Sequence, residues 1–295
     1  MTAEQLAVET APAKINLALH VIGRRDNGYH DIESLFVFAE VADELHASAA
    51  EVDSLVITGP FGEGLSNGET NLVARAIAGF RARWPDNVPH GLALELRKNI
   101  PIAAGLGGGS ADAAAALRLM ARLGQGTIDN PQLFALAAEL GADVPACLIS
   151  QPLLARGVGE VITPLAQFPA CHIVLVNPMI QVSTADVFKR MNGYDNYPLP
   201  ALPSPLTRPA QLGIWLAETR NDLQPPAVKI VPEIGTLIDR LAMAPGCILA
   251  RMSGSGATVF GLFGSNGQAH QAAHELRASP ANYWVTAAPL IVPDQ

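Results

Sequence analysis

A glycine-rich segment that leads directly into an alanine-rich run constrains this sequence more than any other feature. Residues 101–111 read PIAAGLGGGSA, with glycines at positions 105, 107, 108 and 109. Glycine has no Cβ, so the backbone can adopt positive φ and turn its N–H groups toward one point. Ser110 is expected at the N-cap of the following helix, whose dipole adds partial positive charge there. The segment therefore predicts an anion cradle for a di- or triphosphate, with a flexible connector as the structural alternative.

The pattern differs from the common phosphate-binding loops. Gly105-x-Gly107-x-x-Ser110 lacks the third glycine of the dinucleotide pattern, and no acidic residue ends a second strand in the expected place. The Gly-Lys-Ser/Thr ending of a Walker A loop is missing, as are the later HRD and DFG motifs of protein kinases. These differences disfavour a nicotinamide dehydrogenase, a P-loop protein and a protein kinase.

Composition limits the class of partner. The 295 residues carry a formal net charge of −8 and are 49% hydrophobic, which favours a folded acidic protein and disfavours general binding to nucleic acids or anionic membranes. Two uncharged stretches, 161–185 and 252–274, are interrupted by prolines and glycines, so neither is expected to span a membrane. No basic run precedes an apolar stretch near the start. The three cysteines, at 147, 171 and 247, are scattered, odd in number and show no CxxC pattern, which favours reduced thiols in a cytoplasmic protein.

Local patterns predict an α+β protein. We expect strands over residues 14–22, 34–40, 55–58, 92–96, 172–176, 248–252, 258–263 and 283–287. We expect helices over residues 70–84, 110–123, 131–140, 184–191, 226–241 and 268–278, with a proline-rich loop over 195–209. Because the early strands follow one another without helices between them, a doubly wound parallel sheet is disfavoured. A restart of the pattern near residue 165 predicts two domains, 1–165 and 166–295.

Further blocks accompany the glycine-rich segment in the order of a known family. PAKINL occupies residues 12–17, DNGYHDIESLF residues 26–36, LGADVP residues 140–145 and MSGSGA residues 252–257. Together with GLGGGSADAAA they resemble the signature motifs of the GHMP small-molecule kinase superfamily over nearly the whole chain. Within it, PAKINL, DNGYHDIESLF, GLGGGSADAAA and LGADVP are similar to the kinases that phosphorylate a methylerythritol unit linked to cytidine diphosphate, in the non-mevalonate route to isoprenoids. The resemblance implies an N-terminal nucleotide domain like ribosomal protein S5 domain 2 and a C-terminal α/β sandwich.

The resemblance also implies the reaction: transfer of the γ-phosphate of ATP, with Mg²⁺, to the 2-hydroxyl of the methylerythritol unit. Asp143 matches the catalytic base and Lys14 its charged partner. A nearby lysine lowers the pKa of an aspartate and weakens it as a base, so we expect Asp143 mainly to position the hydroxyl. The structural alternatives are an aspartate in a helix-ending turn and a solvated lysine at a strand edge.

The nucleotide is expected on the glycine-rich segment. The predicted ATP-binding residues are Pro101, Ile102, Ala103, Ala104, Gly105, Leu106, Gly107, Gly108, Gly109, Ser110 and Ala111, with Asn71 and Lys98 at family positions near the adenine. Ser110 is also a possible neighbour of Mg²⁺. Ala103 and Ala104 stand where many relatives carry glycine, and their Cβ atoms are tolerated if both keep negative φ. For Asn71 and Lys98, an ordinary helix-start residue and a solvated lysine are the alternatives.

The second substrate is expected to meet aromatic and amide side chains. Tyr29 offers a flat face for cytosine, and His30 offers donor and acceptor atoms for its edge. Phe188 matches a second aromatic that sandwiches the base, with a core phenylalanine as the alternative, and Asn16 shares a strand face with Lys14. Gly254, Ser255 and Gly256 form a second glycine turn that is expected to pack on the first and close the site, unless a tight hairpin alone requires it. The other histidines show no metal-ligand spacing.

Three functions are alternatives to a kinase of the cytidyl substrate. Another kinase of the superfamily, acting on mevalonate, homoserine or a sugar, would have no base to stack on Tyr29. A nicotinamide dehydrogenase is disfavoured by the missing glycine. A non-catalytic nucleotide-binding protein would not need both Lys14 and Asp143. The predicted ligands are therefore ATP and a small molecule, with no nucleic acid, membrane or protein partner expected.

Overall fold

A computed structural model describes residues 5–86, 88–124, 131–194 and 196–293. The chain forms two compact units, the first from residues 1–13, 41–102 and 107–149, the second from residues 14–40, 103–106 and 150–295. Each unit is thus built from separate stretches of sequence. The domain boundary after residue 165 stays a prediction. Among the described helices, none has the length and apolar character that a membrane crossing requires.

Strands and helices occur in an irregular order. The first half contains β1 (Gln5–Arg24), β2 (His30–Ala50), β3 (Ser54–Thr58), α1 (Leu72–Arg83), β4 (Gly91–Arg97), α2 (Gly108–Leu123), α3 (Pro131–Leu140) and α4 (Val144–Ile149). The second half contains β5 (Leu153–Gly157), β6 (Val161–Pro164), β7 (His172–Asn177), α5 (Thr184–Lys189), α6 (Pro209–Ala217), α7 (Gln224–Ile230), α8 (Glu233–Ala242), β8 (Cys247–Met252), β9 (Val259–Phe263), α9 (Asn266–Arg277) and β10 (Trp284–Pro289). The predicted α+β class is confirmed.

In the first unit, strand β4 is central. It runs antiparallel to residues 44–50 of β2 and parallel to β3. Every alanine of α2 is buried, and these small side chains let neighbouring helices approach closely. Gly79 of α1 lies so near α3 that a Cβ there would stand 2.7 Å from Leu136 Cδ1. Short side chains therefore set the spacing of the helices that surround α2.

In the second unit, four antiparallel strands form a sheet in the order β10-β7-β9-β8. Its core includes the fully buried Val174, Leu237 and Ala273, from a strand and from helices α8 and α9. Residues 32–36 of β2 pair with β5, which pairs in turn with β6. The long strand β2 thus contributes its first part to this unit and its last part to the other.

The element bounds differ from the predictions in several places, and β1 and β2 are both longer than the strands predicted over 14–22 and 34–40. The predicted helix over 226–241 is two helices, because Pro232 has no N–H to donate and becomes the N-cap of α8 after α7 ends. Helices α4 and α6 and strands β5 and β6 were not predicted. The predicted loop over 195–209 gives way to α6 at Pro209, and its first residue lies outside the described residues.

Candidate active site

The glycine loop, residues 101–111, enters α2 through left-handed backbone conformations. Gly105 has φ 75° and Gly107 has φ 65°, values that glycine adopts at no steric cost. Gly107 is the N-cap of α2, and no side chain caps this helix. The predicted N-cap role of Ser110 is therefore wrong: the left-handed turn at Gly107 starts the helix earlier and leaves Ser110 inside its first turn.

One alanine of the loop has an unexpected conformation. Ala103 has φ 53°, so the expectation of negative φ is wrong at this position. A left-handed conformation costs an L-residue roughly 1–2 kcal/mol. The side chain of Ala103 is exposed, so the cost lies in the backbone and no crowding adds to it.

The loop turns its carbonyl oxygens toward the protein. The Ala104 carbonyl accepts a hydrogen bond from the Thr258 N–H (3.1 Å), and the Leu106 carbonyl accepts one from the Lys14 N–H (2.9 Å). The Gly105 carbonyl accepts one from Ser253 Oγ (2.9 Å). Among the described residues, the N–H groups of residues 103–107 donate no hydrogen bond to the protein. The loop thus has the polarity that an anion-binding site requires.

The glycine turn, residues 253–257, packs directly on the loop. A Cβ on Gly105 would stand 2.5 Å from the Ser253 carbonyl oxygen and 2.8 Å from that of Gly256. The turn itself uses left-handed glycines, Gly254 with φ 55° and Gly256 with φ 93°. The hydroxyl of Ser255 lies 2.7 Å from that of Thr184. The predicted contact between the two glycine segments is confirmed, whereas closure of a site by this turn stays a prediction.

Lys14 and Asn16 lie on strand β1 and are both buried. The Lys14 ammonium stands over the Phe36 ring, 4.1 Å from its centroid, so the reading of Lys14 as a solvated edge lysine is wrong. Asn16 Nδ2 donates to Ser34 Oγ (2.9 Å), and the Asn16 N–H donates to Ser253 Oγ (3.2 Å). Asn16 Oδ1 is buried without a hydrogen-bond partner among the described residues. Burying an acceptor in this way costs about 1–3 kcal/mol and makes Asn16 a candidate ligand-binding residue.

Asn71 is the N-cap of α1. Its side-chain oxygen accepts a hydrogen bond from the Val73 N–H (2.8 Å), and its Nδ2 donates to the Ser66 carbonyl (2.8 Å). The side chain therefore has a structural role in starting the helix, as the alternative reading expected. Its predicted contact with adenine is not tested by this geometry.

Lys98 is 3% exposed, so the reading of Lys98 as a solvated lysine is wrong. Its ammonium forms ion pairs with the buried carboxylates of Asp43 and Asp112, the latter at 2.5 Å. Burial lowers the pKa of Lys98, but the charges of Asp112 and Asp43 outweigh burial and raise it overall. Burial raises the pKa of Asp112 to about 7, against the opposing charge of Lys98. Sequence analysis missed both aspartates.

Asp143 lies immediately before α4, and its carbonyl accepts a hydrogen bond from the Cys147 N–H (3.0 Å). Asp143 therefore lies between two helices: it follows the end of α3 and immediately precedes the start of α4. Asp143 belongs to the first unit and Lys14 to the second. Their pairing as base and charged partner stays a prediction.

The aromatic residues form a cluster in the second unit. The His30 ring stacks on Phe188, with centroids 4.5 Å apart and 17° between the planes, and lies 4.8 Å from the ring of Tyr194. Burial, followed by the charge of Arg24, lowers the pKa of His30. Its Nε2 is buried without a partner among the described residues. Tyr29 is 63% exposed. Sequence analysis missed Tyr194, which no motif marked.

Comparison with known proteins places the chain in one family. The model of the GHMP kinases N terminal domain matches residues 71–151, and the model of the GHMP kinases C terminal domain matches residues 200–282. The chain belongs to the GHMP kinase family, as the resemblance of its sequence blocks predicted.

Its relatives point to one member of that family. The chain is 44% identical, over 94% of either chain, to the 4-diphosphocytidyl-2-C-methyl-D-erythritol kinase of Chelativorans sp. (strain BNC1). The crystal structure of a 4-(cytidine 5'-diphospho)-2C-methyl-D-erythritol kinase superposes with a TM-score of 0.77 at 35% identity, covering 96% of this chain and 99% of that one. A homoserine kinase from Cytophaga hutchinsonii matches at TM-score 0.68 with 16% identity, over 99% and 98% of the two chains, which shows a shared fold alone.

Proposed function

We propose that the chain is an ATP-dependent kinase that phosphorylates the 2-hydroxyl of 4-diphosphocytidyl-2-C-methyl-D-erythritol, in the non-mevalonate pathway to isoprenoid precursors. The observation that carries the proposal is 44% identity to a kinase of that name along nearly the full length of both chains. The glycine loop and the aromatic cluster supply the two kinds of recognition that these substrates require, phosphate and base.

ATP is proposed to bind with its phosphates on the glycine loop. The support is the loop's polarity: carbonyl oxygens are held by the protein, and the N–H groups of residues 103–107 are left without protein acceptors among the described residues. Backbone N–H groups at the start of a long helix favour negative charge. The helix α2 that follows has 16 residues, which is long enough to carry a dipole.

Mg²⁺ is proposed to enter with the nucleotide. Within the described residues, no group of three His, Cys, Asp or Glu side chains is placed to hold a metal ion. Mg²⁺ in kinase sites usually binds through one or two protein ligands, the substrate phosphates and several waters. Ser110, in the first turn of α2, would supply a hydroxyl ligand, and the cation would neutralise charge on the phosphates.

The phosphoryl acceptor is proposed to meet Asp143 and Lys14. Asp143 would orient the 2-hydroxyl and accept its proton at a carboxylate oxygen, and the ammonium of Lys14 would bind a phosphoryl oxygen. The Phe36 ring beneath Lys14 Nζ (4.1 Å) offers cation-π stabilisation of the ammonium. Asn16 would add an acceptor through its unpartnered Oδ1.

The cytidine end is proposed to bind the exposed face of Tyr29, with Phe188 on the other side of the base and His30 at its edge. The lowered pKa of His30 supports a neutral ring at neutral pH, and a neutral imidazole offers one donor and one acceptor. The residues 254–256 of the glycine turn would close the phosphate end. The proposed location is the cytoplasm, supported by three cysteines that form no disulfide within the described part of the chain.

ADP release by the purified chain with MgATP tests the proposal, with four parallel acceptor conditions: the cytidyl substrate, mevalonate, homoserine and none. We expect turnover with the cytidyl substrate only. Turnover with mevalonate or homoserine alone would contradict the proposed acceptor while leaving the kinase class intact. ATP binding without turnover on any acceptor would instead favour a non-catalytic nucleotide-binding protein.

A comparison of D143N with D143A tests the role of Asp143. The amide preserves the shape of the side chain but cannot take a proton. If positioning is the main role, D143N retains more activity than D143A. Equal loss in both would show that proton transfer is the main role.

A further inference from the structure

A buried ion cluster lies directly beneath the start of helix α2. It consists of Asp43 on β2, Lys98 after β4 and Asp112 on α2, and each is at most 5% exposed. Lys98 Nζ stands 3.6 Å from the place where a Cβ on Gly108 would be, and Asp43 Oδ2 stands 3.8 Å from it. The cluster therefore lies against Gly108, the residue of the glycine loop at which α2 begins.

Asp43 holds the segment through which the chain enters the loop. One of its oxygens, Oδ1, accepts hydrogen bonds from the N–H groups of Asn99 (2.5 Å) and Ile100 (2.9 Å). Its other oxygen accepts from Lys98 Nζ. The backbone of Lys98 is fixed too, because its N–H donates to the Thr58 carbonyl (2.9 Å). Residues 98–100 are thus held on both sides before the loop begins.

Asp112 holds the segment through which the chain leaves the loop. Its Oδ2 accepts from Lys98 Nζ at 2.5 Å, and it lies in the second turn of α2. Lys98 therefore connects the entry and the exit of the loop through one ammonium group. Two charge-assisted bonds to that group are stronger than neutral hydrogen bonds.

We propose that Lys98 and Asp112 are positioning residues for the nucleotide, which fix both ends of the glycine loop so that its N–H groups stand ready for the phosphates. The proposal deepens the proposed function and rests on it, since the loop is taken as the phosphate site. It also gives Lys98 a role that does not need direct contact with ATP, because two carboxylates already bind its ammonium.

The burial of these charges supports a role beyond stability. Buried ion pairs contribute little net stability, since desolvation offsets most of the attraction. A cluster with two carboxylates and one ammonium is an inefficient way to stabilise a core. It does fix geometry well, because an ammonium between two carboxylates allows little displacement of either.

Two variants matched in size test the proposal. D112N keeps an oxygen acceptor for Lys98, whereas D112L fills the same space without one and leaves Lys98 paired with Asp43. We expect D112L to raise the KM for ATP about tenfold, the effect of losing one charge-assisted hydrogen bond, while the KM for the cytidyl substrate changes less than about twofold. D112N is expected to stay within about twofold of the wild type for both substrates. D112A removes the carboxylate without filling its place, and we expect it to raise the KM for ATP as D112L does.

The control is D53A. Asp53 also pairs with an arginine, Arg81, and accepts a backbone hydrogen bond, from the Leu92 N–H (2.9 Å), but it does not contact the loop. D53A is expected to lower the midpoint of thermal unfolding without changing the KM for ATP.

Three results would overturn the proposal: an unchanged KM for ATP in both D112L and D112A, an equal rise in both KM values, or a D112N enzyme as impaired as D112L. Calorimetric titration of ATP into the wild type and D112L, without an acceptor, separates this inference from the proposed function. If the wild type releases no ADP from any acceptor, the proposed function fails, while the ratio of the two ATP affinities still decides the positioning role.

Discussion

Gly105→Ala is the most informative single substitution, because it adds one carbon at the point where the two glycine segments touch. The new Cβ would stand 2.5 Å from the Ser253 carbonyl oxygen, 2.8 Å from the Gly256 oxygen and 3.1 Å from the Gly256 nitrogen. All three are backbone atoms and cannot rotate away. The left-handed φ of 75° costs an alanine roughly 1–2 kcal/mol, and forced repacking of a filled contact costs about 1–3 kcal/mol more.

The expected loss of stability is therefore about 2–5 kcal/mol, or a fall of roughly 4–10 °C in the unfolding midpoint at about 2 °C per kcal/mol. Gly109→Ala is the matched control: it lies inside α2, and its nearest neighbour would be Leu72 Cδ1 at 3.6 Å, an ordinary contact. Replacing a glycine inside a helix by alanine raises the free energy of unfolding by up to about 0.5–1 kcal/mol. Scanning fluorimetry of both variants measures the difference in stability, and coupled ADP release measures the KM for ATP, which should rise for Gly105→Ala. Equal midpoints would refute the steric reasoning.

Three further predictions concern other parts of the molecule. Tyr29→Ala should raise the KM for the cytidyl substrate about 5- to 150-fold, since stacking on a base is worth roughly 1–3 kcal/mol; steady-state kinetics showing an equal rise in the KM for ATP would contradict the stacking role. Arg251→Met should lower stability by about 3–5 kcal/mol in urea unfolding, because the buried guanidinium donates to the carbonyls of Leu17, Leu216 and Thr219; a loss below about 1 kcal/mol would show that water replaces it. The raised pKa of Asp112 means that the folded chain retains a proton that the unfolded chain releases, so stability attributable to this group should fall as pH rises from about 4 to about 7; urea midpoints of D112N should lack this part of the pH dependence, and parallel profiles for D112N and the wild type would count against it.

The sequence predicted those features whose signal is local. Helix α3 has the predicted bounds, and the glycine turn lies between two strands as expected. Both follow from residues adjacent in the chain, a helix-stopping glycine in one case and a glycine pair between apolar runs in the other. Helix α4 was missed because six residues with a proline near the start show no helical period.

The features that escaped prediction depend on contacts between distant residues. Lys98 meets Asp43 because residues 44–50 of β2 pair with β4, a register that no local pattern reveals. Tyr194 reaches His30 across more than 160 positions of sequence. Ser110 was misplaced for a different reason: a left-handed glycine can start a helix without a polar side chain, so the capping preference was overridden by backbone conformation.

The use of main-chain N–H groups in the glycine loop has a consequence for how this region tolerates mutation. Most amino-acid substitutions remove a side-chain donor, whereas a peptide N–H is removed only by substitution with proline. Most substitutions in residues 103–107 therefore leave every donor chemically intact and act through shape alone. Their effects should follow the space and φ at each position: at the exposed Ala103, whose φ is 53°, glycine or asparagine is tolerated and β-branched residues are disfavoured, whereas at Gly105 any side chain is excluded.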